Sequence, residues 1–195
     1  VRVPEPTKRL LPRAQRRAQI IDAAKRSFAR NGFAATSMVD LADESGVTKM
    51  IIYRHFATKA DLYRSVLDAV SDELNTAVAA AGPWPAAATA IVEFAHRDPD
   101  GFALLFQHAA REPDFQDYTD AASAATLATA REELNAYLPD RTRREWAARL
   151  LPRLVIQVVL TWLDSGQPGG VASTTATVRE LTGAAVRAIA GHEVG

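Results

Sequence analysis

The chain has no cysteine, which excludes disulfides, thiol catalysis and cysteine-ligated zinc in one step. No uninterrupted apolar run approaches the ~20 residues that a membrane helix needs. The first residues, 1–13, are polar and broken by proline, unlike a secretory signal. Alternating strand patterns and internal repeats are missing. So are the HExxH helix, the Gly-rich phosphate loop and the G-x-S-x-G elbow, which leaves enzyme readings without parts. Four scattered histidines give no metal-ligand spacing. These absences lead us to expect a soluble, cytoplasmic protein that is not an enzyme and has no cofactor, metal or membrane partner.

Charge of one sign is also lacking overall, since 23 Lys and Arg balance 23 Asp and Glu. The balance hides a division. Residues 1–64 hold 13 basic against 6 acidic residues, and residues 65–195 hold 10 against 17. A basic amino-terminal third followed by an acidic remainder points to a polyanion met by the first part alone. Nearly half of the 195 residues are hydrophobic, enough for a substantial core.

The periodicity predicts an all-α fold of about nine helices. Residues 1–12 read as a flexible basic arm. From Arg13 to Asn31, Ile20, Ile21, Ala24 and Phe28 recur at helical spacing, and Gly32 stops the helix. Ser37 with Asp40 forms a capping-box pattern that opens a short helix through Val39, Leu41 and Ala42. Gly46 permits a tight turn, and Thr48 caps a helix over 49–56. Thr58 and Asp61 repeat the capping pattern and start a helix running to residue 80. Further helices are expected over 86–97, 100–111, 114–138, 141–165 and 173–190, with Pro152 bending the penultimate one. The domains follow as the arm at 1–12, a helix-turn-helix unit at 13–64 and an effector-binding and dimerisation unit at 65–195.

On the helix after Gly46, Lys49, Met50, Tyr53 and Arg54 share one arc, while Ile52 and Phe56 point the other way. A buried side that fixes a helix, with an outer side offering a cation, a phenol and a thioether, suits base edges in a DNA major groove. Lys49 can donate to guanine acceptors, Met50 can touch a thymine methyl, and Tyr53 can do either. Ser37, Thr48, His55 and Lys59 lie at helix ends or edges, where phosphate contacts are expected. The alternative is a helical hairpin whose outer residues are merely solvated.

The stretch TSMVDLADESGVTKMIIYRHFATKADLY resembles the DNA-binding signature of the TetR family of transcriptional regulators. Gly32-Phe33, Gly46-Val47-Thr48, Tyr53 to Phe56 and Lys59 to Leu62 carry the likeness, which covers about residues 14–65. The resemblance implies base reading by Lys49, Met50 and Tyr53, and phosphate contacts from Ser37, Thr48, Arg54, His55 and Lys59. Met50 departs from the pattern, since many members carry Gly there. Ile51 departs as well, in place of a small or hydroxylated residue.

The acidic remainder offers two apolar stripes. Leu151, Val155, Val158 and Trp162 form one, and Val178, Leu181, Ala185 and Ile189 the other. Together they are the expected homodimer interface, a four-helix bundle with two helices from each subunit. The alternative is that both stripes serve the core of a single chain. Phe94, His96, Phe102, Phe106, His108, Tyr118, Trp146, Gln157 and Trp162 mix aromatic and polar groups as a pocket for a small apolar or aromatic effector does. Each singly is also an ordinary core residue. The resulting expectation is a ligand-responsive repressor that binds a palindromic double-stranded DNA operator as a homodimer. The rivals are an effector-independent or architectural DNA-binding protein and, from another class, a helical enzyme or carrier.

Overall fold

Buried Ile20, Ala24 and Phe28 recur along one face of α1 (Arg13–Ala35), whose helical geometry breaks at Gly32 with a φ of 75°. Glycine alone takes that conformation without strain, and it leads the chain out of the helix. The computed structural model describes residues 11–191, without the side chains of residues 116, 117 and 119–125. The expected basic arm thus lies outside the described residues apart from Leu11 and Pro12, which precede α1. Nine α-helices and no strand occur among the described residues, as the sequence periodicity indicates.

The chain divides into two compact units, Val1–Val66 and Leu67–Gly195. The first contains α1, α2 (Met38–Ser45), α3 (Lys49–Tyr53) and the opening turns of α4 (Lys59–Ala81). Ile20, Phe28, Leu41, Ile52, Leu62 and Tyr63 are all fully buried in it. The Phe28 and Tyr63 rings meet edge to face at 4.8 Å, and Phe33 closes on Tyr63 at 5.0 Å. Such ring pairs add about 0.5–1.5 kcal/mol beyond the burial of their area.

The second unit holds the rest of α4, α5 (Ala86–Arg97), α6 (Pro99–Ala103), α7 (Gln116–Leu134), α8 (Arg141–Asp164) and α9 (Gly170–Gly191). The single helix expected over 100–111 is divided. After α6 the chain widens into a π-helical turn at Leu104–His108, then tightens into a 3₁₀ turn at Ala109–Arg111. The Phe102 and Phe106 rings meet at a tilt of 53°, 4.7 Å apart, across the join. Leu134, Leu138, Ala147, Ala148 and Ile189 form a buried cluster in which α7, α8 and α9 meet. Glu145 on α8 accepts from the Arg131 guanidinium of α7 at 2.6 Å, a bidentate bridge at the edge of that cluster.

By length and composition α8 is long and apolar enough to cross a membrane. Arg149 and Arg153 interrupt its apolar residues, so it contains no uninterrupted apolar run of that length. In this fold Ala147, Ala148, Val155, Val159, Leu160 and Trp162 of α8 are buried among the helices of the second unit. Pro152 sits inside α8, where it removes one backbone donor.

Candidate nucleic-acid interface

Two reciprocal caps hold the helices of the first unit in place. At α2, Ser37 Oγ accepts from the Val39 and Asp40 amides at 3.2 Å, and Asp40 accepts from the Ser37 amide at 2.8 Å. The backbone bond from Ser37, followed by its hydroxyl, holds the Asp40 carboxyl below its ordinary range. At α4, Thr58 and Asp61 make the same exchange at 3.0 and 3.1 Å. Arg26 and Arg30 of α1 both pair with Glu44 of α2, and Gln19 donates to the Ser45 carbonyl at 2.9 Å. The scaffold under the turn is therefore braced by polar contacts as well as by its core.

Gly46 ends α2 in the left-handed region, with φ 62° and ψ 30°, and donates to the Ala42 and Asp43 carbonyls. Val47 then donates to the Ala42 carbonyl at 3.1 Å, completing the exit of the chain from α2. Thr48 is extended and caps α3 through a 3.4 Å bond from the Ile51 amide. The helix is shorter than expected. It closes at Tyr53, and Arg54 and His55 lie in the turn that leads to Phe56.

The division of α3 into two faces is sharp. Ile52 is fully buried and Phe56 nearly so, whereas Met50 is 67% and Tyr53 53% exposed. Lys49 and Arg54 are exposed beside them, and Ile51 is half-buried. The structure thus brings Lys49, Met50 and Tyr53 together on one open face. Ser37 and Thr48 are exposed at the starts of α2 and α3. Both hydroxyls accept from backbone amides as caps, and the Ser37 O–H also bonds the Asp40 carboxylate. His55 is half-buried. Burial, and then the charges of Arg13, Arg17 and Arg16, hold its imidazole below the ordinary histidine value.

Lys59 requires a correction. Its ammonium donates to the carbonyls of Phe33 at 2.7 Å, Thr36 at 2.9 Å and Ala34 at 3.4 Å. It also lies 4.3 Å from the Phe33 ring centre. An ammonium has three donors, and here they converge on the carbonyls that end α1. Lys59 is a clamp between α1 and α4 in this structure, not a free phosphate donor.

The expected effector residues differ in exposure, although the His96 and Trp162 rings lie 6.2 Å apart and those of Phe102 and Phe106 4.7 Å apart. Phe94, Phe102 and Trp162 are buried, Phe106, His108 and Tyr118 half-buried, and His96, Trp146 and Gln157 exposed. His96 bonds Gln167 at 2.6 Å, and Trp162 Nε1 donates to the Pro168 carbonyl at 3.1 Å. Burial holds His108 below the ordinary histidine value, with Arg111 adding to the effect and Glu112 opposing it. Two open clefts, of about 600 and about 490 Å³, are lined by other residues, Arg131, Arg141 and Glu145 in one and Ala77, Ala86 and Ala90 in the other.

The expected dimer stripes divide between the core of the chain and its surface. Val155, Trp162, Val178 and Ile189 are all buried within the chain, at 6% exposure or less. Leu151, Val158 and Ala185 are half-buried, and Leu181 alone of the eight is exposed. The exposed stripes lie about one residue away. They are Trp146, Leu150, Arg153 and Gln157 on α8, and Thr177, Leu181, Ala184 and Ala188 on α9. Neighbouring residues on a helix differ by about 100° in direction, so this small offset turns a core face into a surface.

Residues 20–66 match the family model described as bacterial regulatory proteins, tetR family. Over 106 residues, 50% of this chain, the sequence is 35% identical to the HTH-type transcriptional activator FasR of Mycolicibacterium smegmatis. The match covers 48% of that relative, so the chain spans about half its length. A TetR-like transcriptional regulator from Rhodococcus sp. RHA1 has a similar structure, with a TM-score of 0.81 at 21% identity over 94% of this chain and 100% of that one. FadR from Bacillus subtilis, solved in complex with stearoyl-CoA, gives a TM-score of 0.69 at 17% identity over 85% and 96%. At such identities the structural likeness concerns the fold alone.

The turn before α3 has a direct test. A Cβ at residue 46 meets nothing within 4 Å, so Gly46→Ala should cost only the left-handed strain, about 1–2 kcal/mol. Gly46→Asn should cost less, because asparagine tolerates that conformation. Urea unfolding of the three proteins side by side measures the order.

Proposed function

The chain belongs, by its amino-terminal domain, to the TetR family of bacterial regulatory proteins, and on that premise we propose that it regulates transcription as a homodimer on a palindromic DNA operator, in response to a small apolar or aromatic effector. The observation that carries this reading is the outer face of α3. Met50 and Tyr53 stand open beside Lys49 on a helix whose other side is locked by Ile52. Leaving two large side chains exposed next to a cation has no use in a packed hairpin. It suits a major groove, where Lys49, Met50 and Tyr53 read bases while Ser37, Thr48, Arg54 and His55 hold phosphates.

A single module of this size buries too little surface for specific affinity, which supports a dimer. Two copies place their recognition helices roughly one DNA turn apart, about 34–36 Å. The surface we assign to the second copy is the outward side of α8 and α9, where Leu150, Leu181, Ala184 and Ala188 are exposed. Small residues on α9 allow close helix approach, and Leu181 gives the apolar centre. The effector acts in the second unit. The fold neighbour solved with stearoyl-CoA supports an apolar ligand for this helical arrangement. Helix α4 runs continuously from residue 59 to 81 and so belongs to both units. A ligand that favours one setting of α4 by about 1–3 kcal/mol changes operator affinity by the same factor.

The sign of regulation has two readings. Repression follows from occupancy of a promoter. Activation is favoured by the likeness to FasR, a named activator, over half of the chain. A reporter driven by the selected operator separates them, with lower output on expression of the protein expected for repression and higher output for activation.

Selection of bound fragments from random DNA tests the recognition face. Lys49→Ala and Tyr53→Ala should each lower affinity for the selected operator about tenfold or more, and Met50→Gly should instead change the preferred sequence. Unchanged affinity in both alanine variants defeats the assignment of α3. For the dimer, Leu181→Arg should give monomers in sedimentation velocity. A variant that still sediments as a dimer moves the interface elsewhere.

A further inference from the structure

Residues 67–195 hold ten arginines and no lysine, against 17 acidic residues. Five of the ten are Arg131, Arg141, Arg143, Arg144 and Arg149, gathered at the end of α7 and the start of α8. An open cleft of about 600 Å³ lies there, lined by Arg131, Glu132, Asn135, Arg141, Arg144 and Glu145. That volume falls in the usual range for small-molecule sites, roughly 300–1,000 Å³. The same stretch of chain supplies Leu134, Leu138, Ala147 and Ala148 to a buried cluster, so the core fixes the backbone on both sides of the cleft.

The polar groups of the cleft are unequally used. Glu145 is committed, accepting two bonds at 2.6 Å from Arg131 and one at 2.9 Å from Arg149. These two guanidinia, Arg131 first, hold its carboxyl down to about 2. Arg144 directs Nη1 to Asn135 Oδ1 at 2.7 Å and to the Leu138 carbonyl at 3.0 Å, which closes the turn between the helices. Its Nε and Nη2 take no part in those bonds. Asp140 and Glu133 are spent on the Arg143 and Trp84 amides. Arg141 makes no hydrogen bond or ion pair among the described residues, and its five donors are all open. The lining thus sets three guanidinia against two carboxylates, one of which is already paired twice. A helix-to-helix bridge is complete with Arg131, Glu145 and Arg149, and Arg141 adds nothing to it.

We propose that this cleft binds a small, multiply charged phosphate compound through Arg141, Arg144 and the Nη1 of Arg131. The planar fork of a guanidinium matches two phosphate oxygens, and a donor surplus of this size calls for an acceptor-rich ligand. A carboxylate brings one negative charge, whereas a phosphate monoester brings nearly two at pH 7 and three acceptor oxygens. Glu132 opposes the ligand and moderates its affinity. Because α7 and α8 both supply donors, an occupied cleft ties the two helices together and stabilises the folded chain by linkage. The site lies wholly in the second unit. It stands independently of the DNA-binding reading of α3 and differs in chemistry from an apolar effector.

The test is calorimetric titration of the full chain with inorganic pyrophosphate at fixed ionic strength, with ADP and citrate as comparison ligands. Pyrophosphate should bind and should raise the melting temperature. Arg141→Gln should weaken binding about fivefold or more, since it removes charge-assisted bonds. Glu132→Gln should tighten it about threefold, since it removes a like charge at an exposed site. Neither side chain bonds another part of the fold, so both variants should melt as the wild type does without ligand. If Arg141→Gln nevertheless destabilises the chain, the gain in Glu132→Gln carries the decision alone. ADP binding more tightly than pyrophosphate identifies an organic diphosphate as the source, and equal binding an inorganic one; either result supports the site. Citrate binding as tightly as pyrophosphate overturns the assignment to phosphate. Affinity that both variants leave unchanged, or a ligand displaced by duplex DNA, places the anion elsewhere and overturns the proposal, as does the absence of binding at millimolar pyrophosphate.

Discussion

The burial of Ile52 and Phe56 is the constraint on which the candidate interface depends. A helix of five residues is far too short to hold itself together in water, since nucleation alone outweighs its few hydrogen bonds. α3 exists because one side is locked into the core of its unit, the Thr48 hydroxyl caps its start, and Gly46 turns the chain at the required angle. With the inner side fixed, the outer side gains rigidity at no further entropic cost. Side chains there face outward already ordered by their backbone, which is what groove recognition demands.

The same economy governs the floor beneath α3. Phe28, Phe33 and Tyr63 form a continuous aromatic contact between α1 and α4. Lys59 sits over the outermost ring and gathers the carbonyls at the end of α1. Those carbonyls lie past the break at Gly32, and an ammonium with three donors suits their convergence. A residue that looks like a phosphate ligand by position thereby serves to hold two helices together.

In the second unit, direction around the helix decides more than composition does. α8 and α9 are apolar enough on more than one side that periodicity alone admits two registers. The buried face of each turns towards its own chain, where Ile189 joins Leu134 and Leu138, and Trp162 finds the Pro168 carbonyl. The face left outside mixes polar with apolar residues, Trp146, Leu150, Arg153 and Gln157 on α8 and Thr177, Leu181, Ala184 and Ala188 on α9.

The sequence by itself determined the all-α class, the helix order, and the caps at Ser37 and Thr58. It also determined the turn at Gly46 and the open face of Lys49, Met50 and Tyr53. All of these rest on interactions within a few residues: hydrogen bonds to the nearest amides, the left-handed freedom of one glycine, and a period of 3.6. Tertiary structure decided where Lys59 directs its charge, which side of α8 and α9 is buried, and how the expected helix over 100–111 breaks into a π-helical and a 3₁₀ turn. It also decided which of the aromatic residues expected in one pocket are buried and which stand exposed. Those outcomes depend on partners far along the chain, such as Phe33 for Lys59 at a separation of 26 residues. A rotation of one residue about a helix axis is invisible to composition, yet it exchanges core for surface.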